Sequence, residues 1–447
     1  MGTKNMWQVS EQKIEVRQLQ VGMYVCRLDL PWSDTDYLLQ GLKIKNRVDI
    51  SKLTSYCQYV YIDVNKSSLQ KTALKVSRIP PKVSANKTHN AKRKPLTFHP
   101  ARDNWVKKHS VEHYAVSTQT KSEIKTALPV FNDIEHQVSK LLERMTHNRS
   151  VNIEELVDRT SDMVESIIRN PDAFAWLSRI RENRAPIYLH TVRLAVWGGI
   201  VGRQLGLNRF SLTHLTMTLL MTGIGKSLQD EYTLMKYKRE RPSMEYQSHV
   251  NETIYHLSQF HFSCESILQT LQNYCERYDG SGFPAGIKGN AIPFLSRVAG
   301  LIETFELMIN PYNPVKAISP ANAIAKLNAL KDVQFDGSLV EEFIKAVGLY
   351  PTGSLVELNN GAIGVIFTQS YEKRLRASVI PLTHDKGQRY TSFKILDLGY
   401  NAEEGESLHI KRGVASNHVP VSVLNKAHEY IFNRRQKPWS RVRDLIL

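Results

Sequence analysis

The sequence of 447 residues is 42% apolar and 23% charged, the balance expected of a soluble globular protein long enough for two or three domains. Its formal charge of +16 belongs mostly to one segment, because twelve Lys and Arg residues occur with only one acidic residue between Asn65 and Lys108. No run reaches the roughly 18 apolar residues that a membrane span needs, and the four cysteines show no C-x-x-C spacing. These features argue against a membrane protein, a disulfide framework and a zinc knuckle. The first stretch is polar and unlike a secretory leader, so the sequence predicts a cytoplasmic location.

Residues 1–64 are predicted to form a small α+β module. The stretch KIEVRQLQVGMYVCRLDL alternates apolar and polar residues around a Val-Gly-Met turn, which is typical of short strands. The stretch DISKLTSYCQYVYIDV begins with Asp49 as a helix cap signal and ends in β-branched and aromatic residues, which favours one helix followed by one strand.

Residues 65–125 are predicted to be a disordered basic linker, because they lack apolar periodicity and contain Pro-Pro, Ser, Thr and Asn. Such a block of charge would also give salt-sensitive, sequence-independent affinity for nucleic acid. Only Phe98 and Trp105 interrupt the charge, so the segment offers no clear platform for base stacking. A solvated tether is therefore the favoured interpretation, and nucleic acid is not an expected partner.

Apolar residues recur three and four positions apart through most of residues 126–350, which predicts a helical domain. Helices are predicted at 130–145, 153–170, 189–207, 211–221, 244–258, 263–276, 295–309, 319–331 and 338–347. Ser319 followed by Pro320 is the pattern of a helix cap and a first helical residue.

Strand signals follow the helical region, and a β-rich extension is predicted over residues 351–400. Asn359-Asn360-Gly361 separates two alternating stretches, which predicts a hairpin. The stretches RASVIPL and SFKILDLGY are predicted as its partner strands. Residues 401–447 are predicted to be a basic C-terminal tail that is helical in part.

Five features follow one another along the helical region. They are His190 early in a long helix, the stretch LLMTGIGK at 219–226, His249, the stretch ERYDGSGFP at 276–284, and Glu303 in RVAGLIETFELM. This order resembles the HD-GYP family, a helical branch of the HD phosphohydrolases, over roughly residues 150–350. The first 64 residues also resemble the module found ahead of HD-GYP domains in many bacterial proteins. The resemblance implies a mainly α fold, with a helical HD-type bundle after the small α+β module and a short β-rich region at the C-terminal side.

The resemblance implies hydrolysis of cyclic di-GMP by two or three iron or manganese-type ions, which generate hydroxide and clamp phosphate oxygens. The sequence departs from the family at the metal ligands. TGIGK at 222–226 replaces the HDIGK segment, and this change removes an imidazole and a bridging carboxylate together. The paired histidines of the family correspond to Tyr274 and Cys275, and a carboxylate that some members place one turn before the first His corresponds to Pro186.

What remains of the motif is Lys226 and Asp279, with His190, His249 and Glu303 at positions of family metal ligands. Three dispersed donors cannot hold two or three ions, so no catalytic residue, metal site or cofactor is expected. Lys226 is interpreted as a cation that caps a helix C-terminus. Cys275 as a replacement ligand is the disfavoured alternative, given the ligand preferences of iron and manganese.

The stretch that resembles the family's phosphate-binding cluster is also altered. Lys316 remains as a possible ligand-binding residue, but Val315 stands where an Arg is expected. A guanidinium that could bind phosphate through two hydrogen bonds is therefore absent.

The loop formed by Gly280, Ser281, Gly282, Phe283 and Pro284 has two interpretations. In the first, the glycines allow positive φ, Pro284 stiffens the exit and Phe283 packs against the domain. In the second, the loop is a docking surface, and the family resemblance implies diguanylate-cyclase domains or their adaptors as the partners.

The favoured hypothesis is a catalytically inactive regulator in bacterial cyclic di-GMP signalling that acts through protein contacts. A pocket that still senses the nucleotide is a variant of this hypothesis. The alternative is a residual phosphodiesterase with an unusual site made of His190, His249, Glu303 and Cys275, which would use divalent iron or manganese. The sequence leaves open the partner, the binding of cyclic di-GMP and the oligomeric state, a homodimer included.

Overall fold

The computed structural model describes residues 11–30, 42–64, 67, 112–147, 153–179, 187–259, 262, 264–369, 377–384, 388, 393–398, 408–415 and 418–432. The fold is mainly α, with a helical bundle between two small β-sheets along the sequence, as the sequence predicts. The chain divides into one unit of residues 1–98 with 261–266 and a second unit of the remainder. Most of the predicted linker and the end of the predicted tail lie outside the described residues.

The first unit is a four-stranded antiparallel sheet with one helix. Its elements are β1 (Glu11–Glu15), β2 (Tyr24–Leu28), β3 (Leu42–Lys43), α1 (Arg47–Tyr56) and β4 (Tyr59–Asp63), and the strand order is β1-β4-β2-β3. Leu53 of α1 is fully buried in a core with Val25 and Val60 of the sheet. The cap of α1 is Asn46, whose side chain accepts hydrogen bonds from the N–H groups of Val48 and Asp49. Asp49 is thus the third residue of the helix and not its cap, and its carboxylate completes a capping box.

The second unit begins with a long helix and continues as a bundle. Its helices are α2 (Thr120–Thr146), α3 (Glu154–Arg169), α4 (Pro171–Leu177), α5 (Ile187–Gln204), α6 (Arg209–Met221), α7 (Gly223–Ser227), α8 (Glu231–Met235), α9 (Met244–Gln247), α10 (His249–Gln259), α11 (Glu265–Asn273), α12 (Phe294–Ile309), α13 (Pro320–Ala329) and α14 (Gly337–Val347). Helices α5 and α12 are buried along nearly their whole length, because their sequences are apolar on almost every side.

Helix ends follow from local sequence in several places. Ser319 accepts a hydrogen bond from the N–H of Asn322 and Pro320 is the first residue of α13, as the sequence predicts. The predicted helix at 244–258 is instead two helices, α9 and α10, that meet at Ser248. Helix α2 begins at Thr120, within the range predicted as linker.

The C-terminal part of the second unit is a five-stranded antiparallel sheet. Its strands are β5 (Leu355–Leu358), β6 (Ile363–Gln369), β7 (Ala377–Pro381), β8 (Leu396–Asp397) and β9 (Ile410–Val414), in the order β8-β7-β6-β5-β9, and α15 (Val421–Phe432) follows. The hairpin between β5 and β6 turns at Gly361, which has a φ of 86°. Strand β9 lies in the range predicted as tail, so the sheet extends beyond residue 400. The predicted domain boundaries themselves remain predictions.

The sheet packs against α4 of the bundle. Asp172 accepts a hydrogen bond from the Thr352 hydroxyl at 2.6 Å and another from the N–H of Gln369 at 3.3 Å. The Trp176 ring, fully buried, meets Phe367 of β6 edge-on, with ring centroids 5.3 Å apart. None of the helices in the described ranges is both long and apolar enough to cross a membrane.

Candidate functional site

Helices α5, α7 and α12 bring together three of the residues that the motif singles out. The Lys226 ammonium lies 2.6 Å from Oε1 of Glu303, and Nε2 of His190 lies 3.5 Å from the same oxygen. All three side chains are buried, and that of Lys226 is fully inaccessible to solvent. His190, Lys226 and Glu303 thus lie together in the structure, and their origin as a remnant of a metal site stays a prediction. Lys226 pairs with a carboxylate, whereas the sequence interpretation had it cap a helix.

The position of Lys226 depends on a close approach between α7 and α10. The N–H of Gly225 donates to the Thr253 hydroxyl at 2.9 Å. A Cβ atom at Gly225 would lie 1.9 Å from the carbonyl oxygen of His249, far inside van der Waals contact. Only glycine lets the two backbones approach this closely, and this contact delivers the next residue, Lys226, into the buried pocket.

Glu303 is held as a carboxylate in this pocket. Burial by itself would raise its pKa, but the Lys226 ammonium and then His190 outweigh burial and hold the pKa well below its usual range. Its second oxygen, Oε2, has no hydrogen-bond partner within the described part of the chain. The negative charge is thus balanced by an ammonium group of the protein itself.

His249 is engaged on both ring nitrogens. Nδ1 contacts the carbonyl oxygen of Tyr246, which can only accept, so Nδ1 carries the proton. Nε2 then accepts a hydrogen bond from the Tyr274 hydroxyl at 2.7 Å. Burial, and next the charge of Lys226, lower the pKa of His249 to about 3, so the imidazole is neutral near pH 7. The lone pair that a metal ion would need is therefore already used by Tyr274.

Cys275 and Gly223 stand where the family has an imidazole and a carboxylate. Burial raises the pKa of Cys275 to about 12, so in the absence of a metal ion this residue is a protonated thiol. A Cβ atom at Gly223, where the family carries a carboxylate, would lie 2.6 Å from the Thr191 methyl group. Leu142 and Ile187 lie 3.3 Å and 3.4 Å from the same point. Apolar groups of three neighbours fill the space that this carboxylate would need.

The donor set does not fit the cluster of divalent ions that the family resemblance implies. One oxygen of Glu303 binds an ammonium, and Nε2 of His249 binds a hydroxyl. An ion beside Glu303 would also be repelled by the Lys226 charge, which acts at short range in a buried site. Within the ranges that the structure describes, no group of three or more His, Cys, Asp or Glu side chains is arranged to hold a metal ion.

Aromatic side chains surround the cluster, and the sequence reasoning missed most of them. The Tyr312 ring lies 5.5 Å from that of His190, and the Tyr246 ring lies 4.7 Å from that of His249. The Phe283 ring meets His249 edge-on at 5.9 Å. These aromatics come from separate helices and loops without a common spacing, so the only available signal was the family alignment of Phe283.

The signature loop is held mainly from within the domain. The buried carboxylate of Glu276 accepts hydrogen bonds from the N–H groups of Ala285 and Gly286 at 2.7 Å and 3.1 Å. Gly280 has a φ of 82°, as the first interpretation expects. Gly282 does not have positive φ; it is required because a Cβ atom there would lie 2.3 Å from the backbone N of Arg277.

Phe283 is only 9% exposed and belongs to the aromatic surroundings of His249, so its ring faces inward. Ser281 and Pro284 are exposed. Asp279 is also exposed, and it accepts a hydrogen bond from the N–H of Ser281 as part of the turn. The docking role of the loop stays a prediction, and the exposed residues would have to carry it without the Phe283 ring.

Lys316 ends a 3-10 turn, Pro314–Lys316, and is exposed, as is Val315. Among the described contacts, none joins Lys316 to the buried cluster. Pro186 lies outside the described residues. A ligand-binding role of Lys316 stays a prediction.

Comparisons with known proteins identify two families and several relatives that this chain resembles. The HD domain family matches residues 176–339, and a family described as Domain of unknown function (DUF3391) matches residues 11–156. The cyclic di-GMP phosphodiesterase PA4108 of Pseudomonas aeruginosa is 23% identical over 87% of this chain and 89% of its own length. The cyclic di-GMP phosphodiesterase response regulator RpfG of Xanthomonas campestris is 28% identical over 34% of this chain and 41% of its own length. The solved structure of Bd1817, an HDGYP protein of Bdellovibrio bacteriovorus, matches 75% of this chain and 98% of its own at 13% identity and a TM-score of 0.39.

Proposed function

The chain is an HD-domain protein of the HD-GYP family with the DUF3391 module ahead of the domain, and from this premise we propose that it is a catalytically inactive regulator in bacterial cyclic di-GMP signalling. It acts through contacts with other signalling proteins, such as diguanylate-cyclase domains or their adaptors. The relatives named above are cyclic di-GMP phosphodiesterases, which supports the signalling system but not the activity.

One observation supports the inactivity: Thr222 and Gly223 stand where the family has an imidazole and a bridging carboxylate. The remaining carboxylate, that of Glu303, pairs with the retained Lys226 ammonium. The lone pair on Nε2 of His249 accepts a hydrogen bond from the Tyr274 hydroxyl. Tyr274 stands at a position where the family has an imidazole. Metal-assisted hydrolysis needs ions that activate water and clamp phosphate, and these residues leave no donor set for them.

A pocket without turnover is compatible with a sensing role. Cyclic di-GMP would then bind without being cut, and the bound nucleotide would change how the protein contacts its partners. Calorimetric titration with intact cyclic di-GMP tests this finer proposal, and a complete absence of binding heat would restrict the function to protein contacts.

The decisive experiment measures metal content and turnover together. The protein is purified from cells supplied with iron and manganese and analysed for bound metal, with PA4108 prepared in parallel as an active control. We expect less than one metal ion per chain and no conversion of cyclic di-GMP to linear pGpG or GMP. Two bound ions with turnover would overturn the proposal and would support the alternative, a residual phosphodiesterase.

A further inference from the structure

The junction between α4 and the C-terminal sheet contains a buried arginine with no partner for its hydrogen-bonding edge. Arg179 follows α4 and is only 6% exposed. Its Nε and Nη2 groups are buried and have no hydrogen-bond partner in the described parts of the chain. A buried guanidinium normally binds a carboxylate or a set of carbonyl oxygens, so an unpaired one requires an explanation.

The two unpaired groups form one edge of the guanidinium. Nε–H and Nη2–H point to the same side, and together they match the two oxygens of a carboxylate or phosphate. The chain itself uses this edge elsewhere: Nε of Arg169 lies 3.2 Å from both carboxylate oxygens of Glu123, and Nη2 lies 2.7 Å from one of them. Arg179 presents the same edge, and no acceptor among the described residues pairs with it.

The charged groups near Arg179 do not supply a hydrogen-bond acceptor for its Nε and Nη2 among the described residues. Burial lowers its pKa to about 10, which still leaves it charged near pH 7. The neighbouring charges that act on it are Glu306, which is attractive, and Arg193, which is repulsive. Both oxygens of Glu306 already accept hydrogen bonds, from Trp197 at 2.9 Å and from Asn310 at 2.7 Å. Within the described residues, the hydrogen bonds of Glu306 thus go to Trp197 and Asn310 and not to Arg179.

The other contacts of Arg179 do not replace an anion. Its Cζ atom lies 5.2 Å from the centre of the Trp197 ring, a cation–π contact that satisfies neither Nε nor Nη2 as a hydrogen-bond donor. Its aliphatic stem lies against Gly353, where a Cβ atom would be 2.2 Å from Cγ. Glycine at this position makes room for the arginine beside the sheet. Two more buried donors near Arg179 in sequence or next to its neighbour Gly353 have no hydrogen-bond partner among the described residues. They are Nε1 of Trp176, one turn before Arg179, and the hydroxyl of Ser354, next to Gly353.

We propose that Arg179, with Arg193 beside it, forms a buried binding site for a small two-oxygen anion, a carboxylate or a phosphate group, at the junction of the helical bundle and the C-terminal sheet. The anion accepts hydrogen bonds from Nε and Nη2 of Arg179 and neutralises the charge of this guanidinium. Because Arg179 contacts both α4 and the segment that leads into β5, a bound anion stabilises the attachment of the sheet to the bundle. This site is distinct from the cluster of Lys226 and Glu303, and it does not depend on the proposed function.

The test compares inorganic phosphate, acetate and chloride at equal ionic strength, with calorimetric titration and thermal unfolding as the measurements. We expect phosphate or acetate to bind saturably and to raise the unfolding temperature, and chloride to do neither. At an anion concentration of ten times Kd, the unfolding equilibrium constant is expected to fall about 11-fold. If phosphate binds and raises the unfolding temperature more than acetate does, the site is a phosphate site. If acetate has the larger effect, the site is a carboxylate site.

Two variants separate the site from a general effect of charge. Arg179→Met is expected to weaken anion binding about tenfold or more without loss of stability in chloride, because it removes an unpaired buried charge. Arg209→Gln removes one positive charge from the surface, where the Arg209 side chain is 56% exposed, and should leave binding unchanged. A third variant, Arg179→Lys, keeps the charge but loses the paired Nε–H and Nη2–H donors. It should bind the anion more weakly than the unaltered protein.

Three results would show that the proposal is wrong: neither anion binds saturably, Arg179→Met binds the anion as well as the unaltered protein, or Arg209→Gln weakens anion binding as much as Arg179→Met does.

Discussion

Lys226 is the residue on which the buried cluster depends. Its ammonium lies 2.6 Å from Oε1 of Glu303, closer than the 3.5 Å of His190 Nε2. Lys226→Met would leave the Glu303 carboxylate buried without its counter-charge. We expect this change to lower the free energy of unfolding by about 3–5 kcal/mol, measured by chemical denaturation.

The matched control for this prediction is the double change Lys226→Met with Glu303→Leu. It removes both charges and fills the space with apolar groups, so it should cost less than Lys226→Met alone. A single variant within about 1 kcal/mol of the unaltered protein would mean that the pair carries no net stabilisation and that the Glu303 charge does not depend on Lys226.

His214 makes stability depend on pH. This residue is buried in α6, and burial lowers its pKa from 6.5 to about 4. The unfolded chain therefore binds more protons than the folded one between these values, so stability is greatest above pH 6.5 and is lost as the pH falls to about 4. His214→Gln should flatten this dependence in denaturation curves taken from pH 7 to pH 4. The exposed His147 is the control, and a slope that changes equally in His147→Gln would contradict the assignment.

At the level of single residues, the motif order singled out His190 and Glu303 as positions of family metal ligands but did not predict their contacts. The structure places Nε2 of His190 3.5 Å from Oε1 of Glu303. The pairing of Lys226 with Glu303 was not predicted, because 77 positions separate the two residues in sequence and no local pattern connects them. The unpaired edge of Arg179 was equally invisible, since only the folded chain determines which buried groups lack partners.

At the level of elements, the contact between α7 and α10 is set by a glycine. Gly225→Ala would push a methyl group into the His249 backbone, which cannot move without shifting α10. Gly223→Ala would meet only side-chain methyl groups, which can rotate away. We expect Gly225→Ala to lower the free energy of unfolding by about 3 kcal/mol or more and Gly223→Ala by clearly less, although alanine is the better helix former at both positions. Equal costs in urea denaturation would show that the backbone contact is not limiting.

Element boundaries were predictable where a local signal marks them. Ser319 with Pro320 and the Asn359-Asn360-Gly361 turn are such signals, and both were confirmed. The interruption at Ser248 was missed because one residue does not disturb apolar periodicity. Strand β9 was missed because it is an edge strand with exposed Lys411 and Arg412, both paired with Glu357. Charged residues are common on such edges, and they hide the alternation that identifies a strand.

At the level of the whole molecule, one aspartate connects the bundle to the C-terminal sheet. Asp172→Ala would leave the fully buried Thr352 hydroxyl without its acceptor and would free the N–H of Gln369. We expect a loss of about 1–3 kcal/mol in the free energy of unfolding, measured by urea denaturation. Asp162→Ala is the control, because Asp162 forms an exposed pair with Arg159 and its loss should cost less than about 0.5 kcal/mol. Similar costs for the two changes would mean that the sheet is not attached through this aspartate.

The positive charge in the buried pocket is attached to the polypeptide by the four methylenes of Lys226. A bound ion can dissociate, be removed by a chelator or change its oxidation state, whereas this ammonium is synthesised with the chain and stays in place. The charge that Lys226 contributes is therefore the same in iron-poor and iron-rich cells and in the presence or absence of oxygen. Under the proposed function, the protein would contact its partners without first having to acquire a metal from the cell.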